Sequence, residues 1–475
     1  MNKINVNSKK LPLNLWSKGF WRAALALALP IAFQNMLASS FSLVDTLMVS
    51  QLGTISLSSV NMAGQWSWLF SMVIFGITSG ASVFASQYWG EKNVSGIHKI
   101  QGISIISALF ISLIFTLVAL ITPEWVISLF NDDPDVIATG SEYLRFACIS
   151  FPAIALTQVF GAILRAVERP MLPTITTGFS AALNACLNYL LIFPAGMGVR
   201  GAAIATAISS WISPLIIIAV SLIQKNILIA PLREVFAFDR KTIGQFFRKA
   251  SPVIANESMW GLGTTVYNMI FANIGYEEYA AIAIVKTFEN FAFCFFIGIC
   301  TACCVMVGKS VGAGQIRESI RDSKRFLIIM PIVSIIVGAI MILARDPLIS
   351  LFNMGNNISQ YSLDLAGKIV IIVSVWSAVR NIPYITVVGI FRSGGDTTMG
   401  TIVELVVLWC FSVPMTFIAA TVWKLPFLAV YAIMYLCEDI PKSIFFLIYW
   451  RSGKWIRPVT EAGVQGLEEF SDQTT

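Results

Sequence analysis

Long apolar runs alternate with short polar ones along the whole chain. Apolar spans lie near 23–48, 58–83, 103–122, 144–166, 172–193, 202–223, 251–274, 281–306, 326–344, 366–390, 400–421 and 427–449. Each is close to the roughly 20 residues a helix needs to cross a bilayer. In lipid only helices and closed barrels satisfy every backbone donor and acceptor, and runs this long and uniformly apolar predict helices. The first run is too long for a cleavable leader and lacks a small-residue cleavage site, so it is expected to remain as the first helix. The pattern predicts an all-α integral membrane protein of about twelve transmembrane helices.

The spans repeat. ALPIAFQNMLASSFSLVDTLMVSQLG at 28–53 aligns with ASPVIANESMWGLGTTVYNMIFANIG at 250–275, setting Pro30 on Pro252 and Gly53 on Gly275. In the same register GEKN at 90–93 falls on GAGQ at 312–315, and ISLFN recurs at 127–131 and 349–353. After a five-residue slip GAILRA at 161–166 matches GIFRS at 389–393, setting Arg165 on Arg392. An even number of spans per repeat keeps both halves in one orientation. Two six-helix bundles related by a pseudo-two-fold along the membrane normal are therefore expected, with a site at their interface. The expected organisation is a cytoplasmic arm at 1–22, a first bundle at 23–223, a cytoplasmic linker at 224–249, a second bundle at 250–450 and a cytoplasmic tail at 451–475.

Composition agrees: 56% of the residues are hydrophobic, only 12% are charged and the mean hydropathy is +0.76. Soluble domains carry roughly a quarter charged residues. The basic residues gather on one side, in the N-terminal arm (Lys3, Lys9, Lys10, Lys18, Arg22) and the linker (Arg233, Arg240, Lys241, Arg248, Lys249). The opposite loops hold Arg200, Arg345 and Lys424, and their longest, 123–142, is acidic. The positive-inside rule then puts both termini in the cytoplasm. The net charge of +6 needs no nucleic-acid partner. The eight cysteines all lie in apolar spans and there is a single histidine, His98, so packing rather than zinc is expected of them. GKS at 308–310 lacks the first glycine of a phosphate loop, and no nucleotide is expected.

Charge inside a membrane is expensive and so marks function. Asp45 lies towards the outer end of the first span, with Pro30 about four turns below it at 3.6 residues per turn. Proline removes a helix hydrogen bond and permits a bend. Asn184 and Asn188 stand one turn apart on the fifth span, and Thr206 lies in the small-residue start of the sixth. Carboxylate, amide and hydroxyl oxygens suit a hard cation such as Na⁺, while amides and hydroxyls at these spacings also serve as glue between helices. Glu257 on the seventh span is a candidate to attract a cationic substrate or carry a proton. Lys286 and Glu289, one turn apart on the eighth, are spaced to neutralise each other, and Glu404, Glu438 and Asp439 carry less weight. No catalytic constellation appears, so no enzyme is expected.

The chain resembles the multidrug and toxic compound extrusion family over essentially 15–455. The resemblance rests on LPIAFQNMLASSFSLVDTLMVSQLG at 29–53, NACLNYLLIFPAGMGVRGAAIAT at 184–206 and GIFRSGGDTTMG at 389–400. It implies two six-helix bundles around a central cavity and cation-coupled export of amphipathic, often cationic, compounds. It also implies no cofactor beyond H⁺ or Na⁺ as coupling ion. The family's first-helix Pro and Asp fall on Pro30 and Asp45, its fifth-helix polar pair on Asn184 and Asn188, and its sixth-helix Thr on Thr206. Some branches have Asp where this chain has Asn188, which removes one carboxylate. Where several branches carry a seventh-helix acid this chain has Trp260, and where they carry a tenth-helix Asp it has Asn381. Glu257, Lys286, Glu289 and Asn381 remain candidates for a substrate or second ion site. The expectation is a plasma-membrane antiporter of small organic cations, in a prokaryotic inner membrane, surrounded by membrane lipid and working as a monomer. The alternative is a flippase for lipid-linked saccharides. It would want a cavity richer in Arg and Lys than Arg145, Lys286, Lys368, Arg380 and Lys442 provide.

Overall fold

A computed structural model describes residues 17–352 and 359–473. Most of the expected N-terminal arm (1–16) and the last two residues of the tail lie outside the described residues, as does Asn353 of the second ISLFN.

Every expected span is a helix. The first six are α1 (Lys18–Ser50), α2 (Thr54–Glu91), α3 (Val94–Ile121), α4 (Pro134–Ala166), α5 (Met171–Ile192) and α6 (Gly198–Gln224). The second six are α7 (Arg240–Ile274), α8 (Tyr276–Gly312), α9 (Ile316–Leu343), α10 (Gln360–Gly394), α11 (Thr398–Val422) and α12 (Phe427–Arg451). The protein is an all-α membrane protein with six long helices in each half. Among the described residues ten helices are long and apolar enough to cross a membrane by composition alone. The two that fall short are α7, whose sequence is the more polar, and α12, which carries Glu438, Asp439 and Lys442 within about one turn. Large apolar side chains such as Phe110, Ile223, Ile335 and Leu343 stay exposed, as expected of surfaces facing lipid.

Several helices outrun their apolar spans. α7 begins at Arg240 and α9 at Ile316, about three turns before the hydrophobic runs start. Hydropathy reads where lipid stops, whereas a helix continues until its capping and solvation end it. α4 begins at Pro134, inside the stretch read as an acidic loop, with the Asp133 carboxylate accepting from the amide of Asp135 at 2.9 Å. What precedes α7 is held to α3: His98 Nε2 lies 3.0 Å from the Ile227 carbonyl, His98 Nδ1 3.2 Å from Glu234 Oε2, and Gln101 donates to the Leu228 carbonyl at 3.1 Å.

The chain packs as two compact units. One holds α1 up to Ala32, the end of α2 (Ser86–Lys92) and the chain from Ser258 onward; the other holds Phe33–Ala85 and Asn93–Glu257. The divisions fall inside α1, two residues past Pro30, inside α2, just before α3 and inside α7, so compactness and sequence repeat divide the chain differently.

Within the first of these units the ends of α2 and α8 cross backbone to backbone. A Cβ on Gly90 would lie 2.0 Å from the Lys309 carbonyl oxygen, and one on Gly312 would lie 2.0 Å from that of Gln87. In the repeat register Gly90 corresponds to Gly312 and Gln87 to Lys309. The contact is thus self-complementary, as a two-fold requires, and only glycine allows the approach.

The stretch after α12 folds onto the same place. Trp455 is fully buried, the Arg457 amide donates to the Gly394 carbonyl at 2.7 Å, and Thr460 donates to the Gly312 carbonyl at 2.9 Å while capping α13 (Glu461–Asp472). Gln87, wholly buried, donates to the Ser393 carbonyl and accepts from the Val459 amide, both at 2.8 Å.

Candidate functional site

Asp45 stands on α1, and among the described residues its hydrogen-bond partner is a neutral amide. Its carboxylate accepts from the Asn188 side-chain amide. The same Asn188 nitrogen lies 3.2 Å from Asn184 Oδ1, one helical turn back on α5. Asn184 donates in turn to Thr206 Oγ1 at 3.4 Å and to Ser209 Oγ at 3.2 Å on α6. One chain of polar contacts therefore links Asp45, Asn188, Asn184 and Thr206 across three helices. The local sequence explains the approach: Gly201, Ala202, Ala203 and Ala205 are buried and small, which brings α6 close to α5.

Two members escaped the sequence reading. Ser209 lies one turn beyond Thr206, and its spacing was the available signal. Tyr143 comes from α4, is 8% exposed, hydrogen-bonds Thr206 and lies within electrostatic reach of Asp45. It sits where the acidic loop was expected to end, so nothing in the sequence pointed to it. Asn188 is wholly buried, and its Oδ1 has no hydrogen-bond partner among the described residues. An unfilled buried acceptor is costly unless something donates to it or coordinates it. Carboxylate, amide and hydroxyl oxygens here can take a hard cation, and the carboxylate can alternatively take a proton.

Pro30 lies inside α1, which runs unbroken from Lys18 to Ser50. One turn above it Gln34 donates to Thr177 Oγ1 of α5 at 2.9 Å.

The second-half candidates take separate partners. Lys286 donates to Asn268 Oδ1 at 2.7 Å, and Glu289 pairs with Arg380 at 2.7 Å. Both side chains hydrogen-bond to other helices, while Glu289 still acts on Lys286 electrostatically. Asn381 donates to Ser334 Oγ of α9 at 2.8 Å. Glu257 falls in the other compact unit from these three. Around Glu289 the structure assembles a network that the sequence reading weighed lightly. Tyr435 OH donates to Glu289 at 3.2 Å, Trp376 Nε1 donates to Asp439 at 2.8 Å, and Lys442 pairs with Glu438 at 2.7 Å. Tyr267, the repeat counterpart of Asp45, has its hydroxyl 3.0 Å from Glu438 and 2.6 Å from Ser412 Oγ. Three charges within about one turn of α12 were the available signal.

A sequence profile described as MatE matches residues 30–190 and 252–418. The chain belongs to the MatE family. Its two matched stretches start on Pro30 and Pro252, the prolines that head the internal repeat, so this MatE chain carries the family pattern once in each half. It is 25% identical to "Probable multidrug resistance protein NorM" of Thermotoga maritima over 437 residues, covering 91% of this chain and 92% of that one. It is 24% identical to "Multidrug and toxin extrusion protein 1" of Xenopus tropicalis, covering 96% of this chain and 78% of that one. A solved structure titled as MATE in the bent conformation superposes with a TM-score of 0.83 at 17% identity, covering 98% of this chain and all of that one. MatE proteins are multi-pass membrane transporters of the multidrug and toxin extrusion kind, not enzymes, and the two-bundle, twelve-helix layout is theirs.

Proposed function

We propose that this MatE transporter is an antiporter, exporting amphipathic organic cations from the cytoplasm in exchange for H⁺ or Na⁺ bound at Asp45. The observation that carries the reading is the contact chain from Asp45 through Asn188 and Asn184 to Thr206. Among the described residues Asp45 has a neutral hydrogen-bond partner, so an arriving cation meets a carboxylate held by an amide and, beside it, the Asn188 Oδ1. Ion occupancy alters how α1 is held against α5, and Pro30 is the point about which α1 bends as the drug is released. One inward charge at ~150 mV supplies about 3.5 kcal/mol, at roughly 2.3 kcal/mol per 100 mV. That sustains a gradient of roughly 300-fold for a neutral solute, at 1.4 kcal/mol per tenfold. One coupling carboxylate therefore suffices. The protein works as a monomer in the plasma membrane, with both termini cytoplasmic.

The test is ethidium movement in proteoliposomes under a pH gradient and a sodium gradient imposed separately, with wild type beside Asp45→Asn. Movement under one gradient, lost in the variant, names the ion. Wild-type rates in the variant contradict the mechanism. Folded protein that moves nothing under either gradient points to a lipid-linked substrate.

A further inference from the structure

We propose that Glu289, Tyr435 and Asp439 form a binding site for a monovalent organic cation, and that the Arg380 side chain is its resident occupant. The substrate class rests on the exchange reading above; the site itself rests on what surrounds Arg380.

Recognition of an organic cation calls for a carboxylate, an aromatic face and a way in. The Arg380 guanidinium already takes the first two. Its NH1 donates to Glu289 Oε1 at 2.7 Å and to Tyr435 OH at 3.1 Å, and its central carbon lies 5.3 Å from the Tyr435 ring centroid, inside the roughly 6 Å of a cation–π contact. The Asp439 carboxylate also acts on it electrostatically.

The walls are pinned while the occupant is not. Tyr435 is held by the Tyr431 hydroxyl at 3.3 Å and Asp439 by the Trp376 indole, and both are almost fully buried. Arg380 reaches in on a long flexible side chain, 38% of which stays accessible. A neighbouring pair shows how a closed ion pair looks in the same network. Lys442 and Glu438 are 5% and 15% exposed and lie one turn apart on a single helix, so both charges are buried together on one element. Arg380 and Glu289 sit on different helices and are more accessible, at 38% and 21%. The other charges nearby are Lys286, which is bonded to Asn268 but also acts on Glu289, and the Lys442–Glu438 pair. An incoming cation that displaces Arg380 restores the charge balance the network already has.

The arrangement makes a directional prediction that a structural ion pair does not: removing the arginine should improve cation binding. The experiment is ethidium binding to purified full-length protein in lipid nanodiscs, read by fluorescence anisotropy. If Arg380 leaves the site open about a tenth of the time, Arg380→Met tightens ethidium binding about tenfold. Arg380→Gln, which can still hydrogen-bond Glu289, must shift binding in the same direction and stands in if the methionine variant does not fold. Arg380→Lys stays near wild type. Glu289→Gln weakens binding, and the double variant Glu289→Gln/Arg380→Met binds no tighter than Glu289→Gln alone. Unchanged or weaker binding in folded Arg380→Met or Arg380→Gln overturns the proposal, as does unchanged binding in Glu289→Gln. Failure of the exchange reading shows differently, as wild-type protein that binds ethidium but moves none under either gradient.

Discussion

The Asp45 cluster and the α12 network are the polar centres of the two halves, and they treat charge in opposite ways. Around Asp45 the hydrogen-bond partners are neutral amides and hydroxyls. On the other side Glu438 has Lys442 and Glu289 has Arg380. The repeat sharpens the contrast, because the counterpart of Asp45 is Tyr267, a group that donates to a carboxylate rather than being one. A carboxylate held only by neutral dipoles changes its interactions strongly when an ion or proton arrives. A carboxylate already paired with a side-chain cation responds only as far as that cation gives way, and the buried Lys442 beside Glu438 gives way least. Duplication supplied two similar scaffolds, and the distribution of charge made them unequal.

The largest effect expected is on coupling: Asp45→Asn should abolish gradient-driven ethidium movement while the protein still elutes as a folded species. Next comes stability in the paired network. Lys442→Met strands the Glu438 carboxylate and should cost about 3–5 kcal/mol, read as a lowered melting temperature in detergent. Glu438→Gln/Lys442→Met, which strands no charge, should recover most of that loss. Gly90→Ala puts a methyl into the Lys309 backbone and should destabilise by about 1–3 kcal/mol, with the pseudo-symmetric Gly312→Ala behaving alike. The smallest effect is at the cap of α13, where Thr460→Ala should cost about 1 kcal/mol and loosen the C-terminal segment to protease.

All twelve spans and the repeat were legible because lipid imposes a length and a composition on whatever crosses it. Helix ends were not, since Arg240 and Ile316 begin helices in sequence that carries no apolar signal. Asp45, Asn184, Asn188 and Thr206 could be named because a polar side chain in an apolar run stands out, and the structure brings these four together. Tyr143 could not, because its position just before an apolar run looks like that of any interfacial tyrosine until α4 and α6 are packed. Partner choice was equally hidden. One-turn spacing offered Lys286 to Glu289, but Asn268 and Arg380, from other helices, hold them. The docked segment from Trp455 to α13 left little trace in the sequence, because its bonds run largely to backbone carbonyls and amides that every residue has.

The most direct test sets the two centres against each other in one assay. Asp45→Asn and Glu438→Gln/Lys442→Met would be reconstituted side by side with wild type, and ethidium movement followed under the gradient that drives the wild type. The account predicts that the Asp45 variant loses its response to the gradient and that the paired-network variant keeps it at a reduced rate. A gradient response that survives in the first and vanishes in the second would place coupling in the other half of the molecule.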